Sequence, residues 1–176
     1  MDQHSIDLLD TVLEDTTLAL FESIGVRLLR TPAPLTAGDD IAASIGFAGE
    51  ELRGALVLTS TRKLVQQVLP QEVRDRDADE QLADWMGELA NQLLGRVKNR
   101  LLRYGVSLAM GTPTVMLGTE LSRKDKHKGV RRRFAFRHAD QSFSICFDAL
   151  ATAGLSLVAP TTPPALGIIE GDVALF

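Results

Sequence analysis

One stretch constrains the chain more than any other, the run at residues 78–103. Placed at about 100° per residue, Met86, Leu89, Ala90, Leu93, Val97 and Leu101 fall on one side, with Trp85 and Leu94 on its margins. Asp84, Glu88, Asn91, Gly95 and Lys98 fall on the other. Such a segment has to be a long helix with its apolar face laid on a core. Asp77, with Glu80 three residues later, gives it a start resembling a capping box. Glu88 and Asn91 are three apart, so their side chains are neighbours. Gly95, one turn beyond Asn91, costs about 1 kcal/mol of helix stability relative to alanine. On an exposed face its missing side chain lets another protein come close to Asn91. A carboxylate and an amide on a solvated helix face are commonplace, so this spacing alone does not establish a site.

The rest of the chain reads as shorter elements around that helix. Residues 5–24 show helical spacing of Ile6, Leu9, Val12, Leu13, Leu20 and Ile24, with Ser5 as the expected cap and Gly25 as the stop. Val26–Arg30 reads as a short strand. Ile41–Phe47 and Leu52–Thr59 read as strands around the turn at 48–51. Thr61 opens a helix that stops at Pro70. Val106–Gly118, Arg131–Arg137 and Gln141–Phe147 read as strands, the last two joined at His138-Ala139-Asp140, and Leu155–Ala159 as a possible final strand. No internal repeat is evident. Strands follow one another without regular helical crossovers, so the expected class is α+β with a largely antiparallel sheet. The expected organisation is one domain over residues 1–159, followed at 160–176 by a proline- and threonine-rich linker and an apolar tail.

Composition excludes several functions. The 176 residues carry a net charge of −4, which argues against nucleic acid as the main partner. A single cysteine, Cys146, forms neither an intrachain disulfide nor a cysteine-based zinc cluster. It alternates with Phe143, Ile145 and Phe147, as a packed thiol does, and has no histidine or aspartate partner in view. His4, His127 and His138 have no metal-ligand spacing, so no metal site is expected. The first residues lack the basic and apolar regions of a signal peptide, and no apolar run is long enough to span a bilayer, so a cytoplasmic location without membrane insertion is expected. The basic segment 123–133 is read as a solvated loop and strand edge that blocks edge pairing, rather than as a binder of nucleic acid.

The segment from Asp84 through Glu88 and Asn91 to Gly95 resembles the signature helix of the CheC/CheX/FliY chemotaxis phosphatases. That pattern has Asp or Ser, then Glu four later, then Asn three after that, and a proline some twenty residues on. Pro113 stands in that place, in a stretch, 110–118, that resembles the family's following strand. Residues 45–49 and 54–58 look like the hairpin of the CheX-like members, and the likeness extends over residues 5–148. Two-site members repeat Glu-x-x-Asn on the first helix. Here Glu14 is followed three later by Thr17, and Glu22 by Gly25, so one site per chain is implied.

The resemblance implies a CheX-like fold, in which the sheet packs against the motif helix and the N-terminal helix. It also implies a homodimer, and a phosphatase acting on the aspartyl phosphate of a response regulator, a CheY-type receiver domain, in chemotaxis or two-component signalling. Hydrolysis of an acyl phosphate by in-line attack of water is limited largely by positioning and charge. A neutral carboxamide suits that task, because it donates to and accepts from one water without adding charge. By resemblance Asn91 holds the attacking water, Glu88 pairs with a lysine of the regulator, and Asp84, Gly95 and Lys98 belong to the docking face. No cofactor is implied for this chain; the divalent ion, Mg2+, is the regulator's. The other reading is a non-catalytic domain on the same fold that binds a receiver or a signalling array.

Overall fold

The computed structural model describes residues 1–32, 40–70, 78–118 and 129–158. Asp77, residues 123–128 and the linker and tail at 160–176 lie outside the described residues. The chain opens with helix α1 (Gln3–Ser23), which starts two residues before the expected Ser5. The cap is Asp2, because its carboxylate reaches the amide of Ser5 at 2.7 Å. Ser5 is instead buried, and its hydroxyl accepts from the amide of Leu157 at 2.8 Å. The Asp2 carboxyl lies below its ordinary pKa, chiefly because the Ser5 amide bonds to its charged form. A carboxylate with a depressed folded pKa adds stability above its unfolded value and loses it as pH falls through the folded one. Asp2→Ala is therefore expected to lower the melting temperature at neutral pH, and the gap to the parent should close in strong acid. Paired thermal melts across that range check this.

Strand β1 (Leu29–Thr31) follows, slightly later than the expected Val26–Arg30. Strands β2 (Ile41–Ala48) and β3 (Leu52–Ser60) form the expected hairpin. Helix α2 (Arg62–Val68) comes next, with Thr61 at the cap position. The Thr61 hydroxyl does not bond to the helix. It donates to Gln141 at 2.8 Å and ties α2 to the sheet. Helix α3 (Ala78–Leu102) is the long one, and its extent matches the periodicity.

The expected single strand at 106–118 is two, β4 (Ala109–Met110) and β5 (Thr114–Leu117). Met110 pairs with Phe47 and Thr114 with Ser44, so three residues, 111–113, stand opposite the two residues Ile45 and Gly46. The extra residue makes a bulge, and Pro113, with no N–H to give, sits within it. Strands β6 (Val130–His138) and β7 (Gln141–Ala151) close the set through a turn at Ala139-Asp140, with Ala139 in the left-handed region at φ 52°. Among the described residues no strand follows. Leu155 and Leu157 are buried but irregular.

All pairings in the sheet are antiparallel, in the order β1-β6-β7-β3-β2-β4, with β5 also on β2. Helices α1 and α3 cover one face. Phe21 of α1 meets Phe143 with ring centroids 4.5 Å apart, and Phe47 stacks on Phe147 at 4.8 Å. At the centre, β3 and β7 approach so closely that a Cβ on Gly54 would lie 2.0 Å from the carbonyl oxygen of Asp148. The described part of the basic segment is structural: Arg131 pairs with Asp148 at 2.6 Å, and Arg132 with Asp10 of α1.

The strand order contains an echo that the residues alone did not disclose. It reads the same when α1, β1, β2 and β3 are exchanged with α3, β4/β5, β6 and β7. Each half lends its first strand to the other: β1 pairs with β6, and β4 and β5 pair with β2. Both helices end alike. Gly25 and Gly105 sit at φ 81° and 80°, and the next residue, Val26 or Val106, donates back to Phe21 or Leu101. Glycine adopts that left-handed stop without the penalty a Cβ brings.

Candidate functional site

The face separation along α3 is as the spacing requires. Leu89, Leu93, Val97 and Leu101 are each at most 1% exposed, against the sheet and α1. Trp85 is half-buried at the core's edge, as a packing residue. Asp84 and Glu88 are exposed, while Asn91, Gly95 and Lys98 are half-buried. Asn91 is thus more covered than a position facing open solvent. It lies one turn beyond Gly87, on the flank where β5 packs. A Cβ on Gly87 would stand 3.5 Å from Val115 and 3.6 Å from Pro113. The bulge therefore sets Pro113 beside the start of the Glu88–Asn91 turn.

Among the described residues, the helix face is open at Gly95, one turn beyond Asn91. A Cβ on Gly95 would meet nothing within 4 Å. Among the described residues the Asn91 side chain has no hydrogen-bond partner, and Asp84 and Lys98 form no ion pair. Glu88 does have a partner that the sequence reading overlooked. Its Oε1 accepts from Nε2 of Gln92 at 2.9 Å. The i,i+4 spacing was the available signal.

The site lies on a face of α3. Two shallow concavities lie elsewhere: one between α1 and the end of α3, beside Thr11, Asp15, Arg100 and Tyr104, the other between α2 and the start of α3. Neither includes Glu88 or Asn91. A donor and acceptor amide on a helix face can enter a pocket that a protein substrate supplies. Among the described residues no three His, Cys, Asp or Glu side chains gather as a metal ion requires, and no helix is long and apolar enough to cross a membrane.

Helix α1 carries no matching pair. Thr17 is buried with its hydroxyl on the carbonyl of Leu13, and Glu14 pairs with Arg30. Counted back from the terminal glycines, Leu8 and Thr11 occupy the places of Glu88 and Asn91.

Comparison with known proteins bears on the fold and the family. Solved structures with the same fold include the chemotaxis protein CheX from Vibrio vulnificus, 21% identical, with a TM-score of 0.71 over 80% of this chain and 95% of that one. A CheX from Desulfovibrio desulfuricans is 18% identical, with a TM-score of 0.68 over 81% and 98%. The CheX of a CheX–CheY–BeF3–Mg2+ complex from Borrelia burgdorferi is 12% identical, with a TM-score of 0.62 over 83% and 97%. No curated protein matches the chain. The model of the family described as chemotaxis phosphatase CheX matches residues 41–137, more than half of the chain and all of α3. The chain belongs to the CheX family of chemotaxis phosphatases.

Proposed function

We propose that this protein hydrolyses the aspartyl phosphate of a response-regulator receiver domain in chemotaxis or two-component signalling in the cytoplasm. The observation that carries the reading is the Asn91 amide, unpartnered among the described residues, one turn from an exposed Glu88 on an open helix face. Family membership supports it, and so does the complex that the Borrelia burgdorferi relative forms with CheY. Asn91 enters the receiver's site and holds the attacking water in line. Its neutral amide adds no charge beside the phosphoryl group. Glu88 pairs with a lysine of the receiver and fixes the approach. Asp84 and Lys98 flank the contact, and Gly95 gives it room. This chain supplies no cofactor, and Mg2+ comes with the receiver.

The test is phosphate release from a matched phosphorylated receiver, with and without the protein. Decay that is not accelerated overturns the catalytic reading, and binding without acceleration leaves a docking domain. Two variants are expected to act through docking. Glu88→Ala removes a charge-assisted bond worth about 1.5–3 kcal/mol, so apparent affinity should fall about ten- to a hundredfold. Gly95→Gln fits the free protein, where the site is open, and improves helix propensity, but should raise KM by crowding Asn91. Titrating each variant against the receiver gives both numbers.

We propose also that the working form is a homodimer, as the CheX resemblance implies. Light scattering should give twice the 19.1 kDa chain mass at micromolar concentration. A single species of one chain mass would remove the dimer without touching the catalytic proposal, since one helix carries both residues.

A further inference from the structure

The Asn91 amide can hold a substrate's water only while nothing in its own chain holds it. The nearest competitor is Glu88, because residues three apart on a helix are neighbours and a carboxylate is a strong acceptor for an amide N–H. Glu88 does not turn that way. Its Oε1 accepts from Gln92 at 2.9 Å. Viewed down α3, Asn91 lies about 60° to one side of Glu88 and Gln92 about 40° to the other. The bond therefore draws the carboxylate away from the amide. The second oxygen, Oε2, receives nothing from Gln92.

We infer that Gln92 is a positioning residue, which draws the Glu88 carboxylate to the far flank of the helix and keeps the Asn91 amide free for substrate. Its value to catalysis rests on the function proposed above, but its effect on Glu88 and Asn91 does not. The test uses Gln92→Leu, which removes the donor and keeps side-chain length and helix propensity. Nitrogen-labelled free protein is followed by NMR while the pH is lowered from neutral through the carboxylate range. In the parent, the side-chain amide signals of Asn91 should stay in place. In Gln92→Leu they should shift with a single titration, as Glu88 turns to Asn91 and then releases it on protonation. Asp84, two turns before Asn91, is the other carboxylate on this stripe, so a second variant adds Glu88→Ala to Gln92→Leu. The shift should vanish there. Asn91 signals that do not move in Gln92→Leu, or that still move without Glu88, overturn the inference.

A kinetic arm uses the phosphorylated receiver. Gln92→Leu should lower kcat/KM about twofold, the size of an i,i+4 side-chain bond, and should cost nothing further in a Glu88→Ala background. An equal loss in both backgrounds means a structural role and overturns the inference. A parent that fails to accelerate decay overturns the proposed function instead, and the NMR arm still decides the role of Gln92.

Discussion

With a matched phosphorylated receiver titrated to saturation, Asn91→Ala is expected to lower the accelerated rate of dephosphorylation about a hundredfold and to leave KM within a few fold. The substitution removes one amide from a helix face and nothing from the core. Asn91 has no partner among the described residues, so no other group loses a bond. Alanine is the better helix former, so α3 should be slightly more stable. On the proposed mechanism what disappears is the positioning of water, and misplacing a reacting group by about 1 Å can cost about a hundredfold. The split between kcat and KM is the decisive measurement. A variant that lost affinity and rate together would place Asn91 in docking. One that matched the parent would show the mechanism to be wrong on an intact fold.

The second large effect is on stability. Gly54→Ala should destabilise the protein by about 3 kcal/mol or leave it unfolded. A Cβ there falls 2.0 Å from the carbonyl oxygen of Asp148 and 2.8 Å from the Cα of Ala149, both backbone atoms of the neighbouring strand. A flexible side chain could move aside, but these atoms belong to the β3–β7 ladder at the centre of the sheet. Overpacking in a core typically costs about 1–3 kcal/mol, and separating two central strands belongs at the top of that range. Urea denaturation compared with the parent measures it. Gly95→Ala is the matched control, because its Cβ meets nothing within 4 Å and the helix should gain.

The long helix was legible because its period is sampled over seven turns, so a single misplaced residue cannot change the phase. Glu88 and Asn91 followed from that phase, and the resemblance gave them roles. The start of α1 was misread because capping depends on which carboxylate or hydroxyl reaches the first free amide. Asp2 and Ser5 are both suitable by type, and only the path of the chain separates them. The split of 106–118 depends on a bulge, set by a mismatch in count against β2. Gln92 was passed over because it lies on the margin between the polar and apolar faces, where spacing assigns no direction. The echo between the halves escaped because Gly-Val-x-Leu after each helix, at Gly25 and Gly105, is too short to stand out.

The exchange of first strands has a consequence for how the protein comes into being. Leu29 waits for Arg137, more than a hundred residues later, before β1 has a neighbour, and β2 waits for β4 and β5. On the ribosome, α1 through β3 emerge as a hairpin and a helix with one sheet edge bare and the central partner β7 not yet made. Contacts so distant along the chain favour slow, late assembly. A nascent chain that stalls before β7 holds the complete Glu88–Asn91 helix but lacks the strand that joins the two halves of its platform. Synthesis therefore has to run through β7, well beyond α3, before the helix that carries Glu88 and Asn91 has its complete platform.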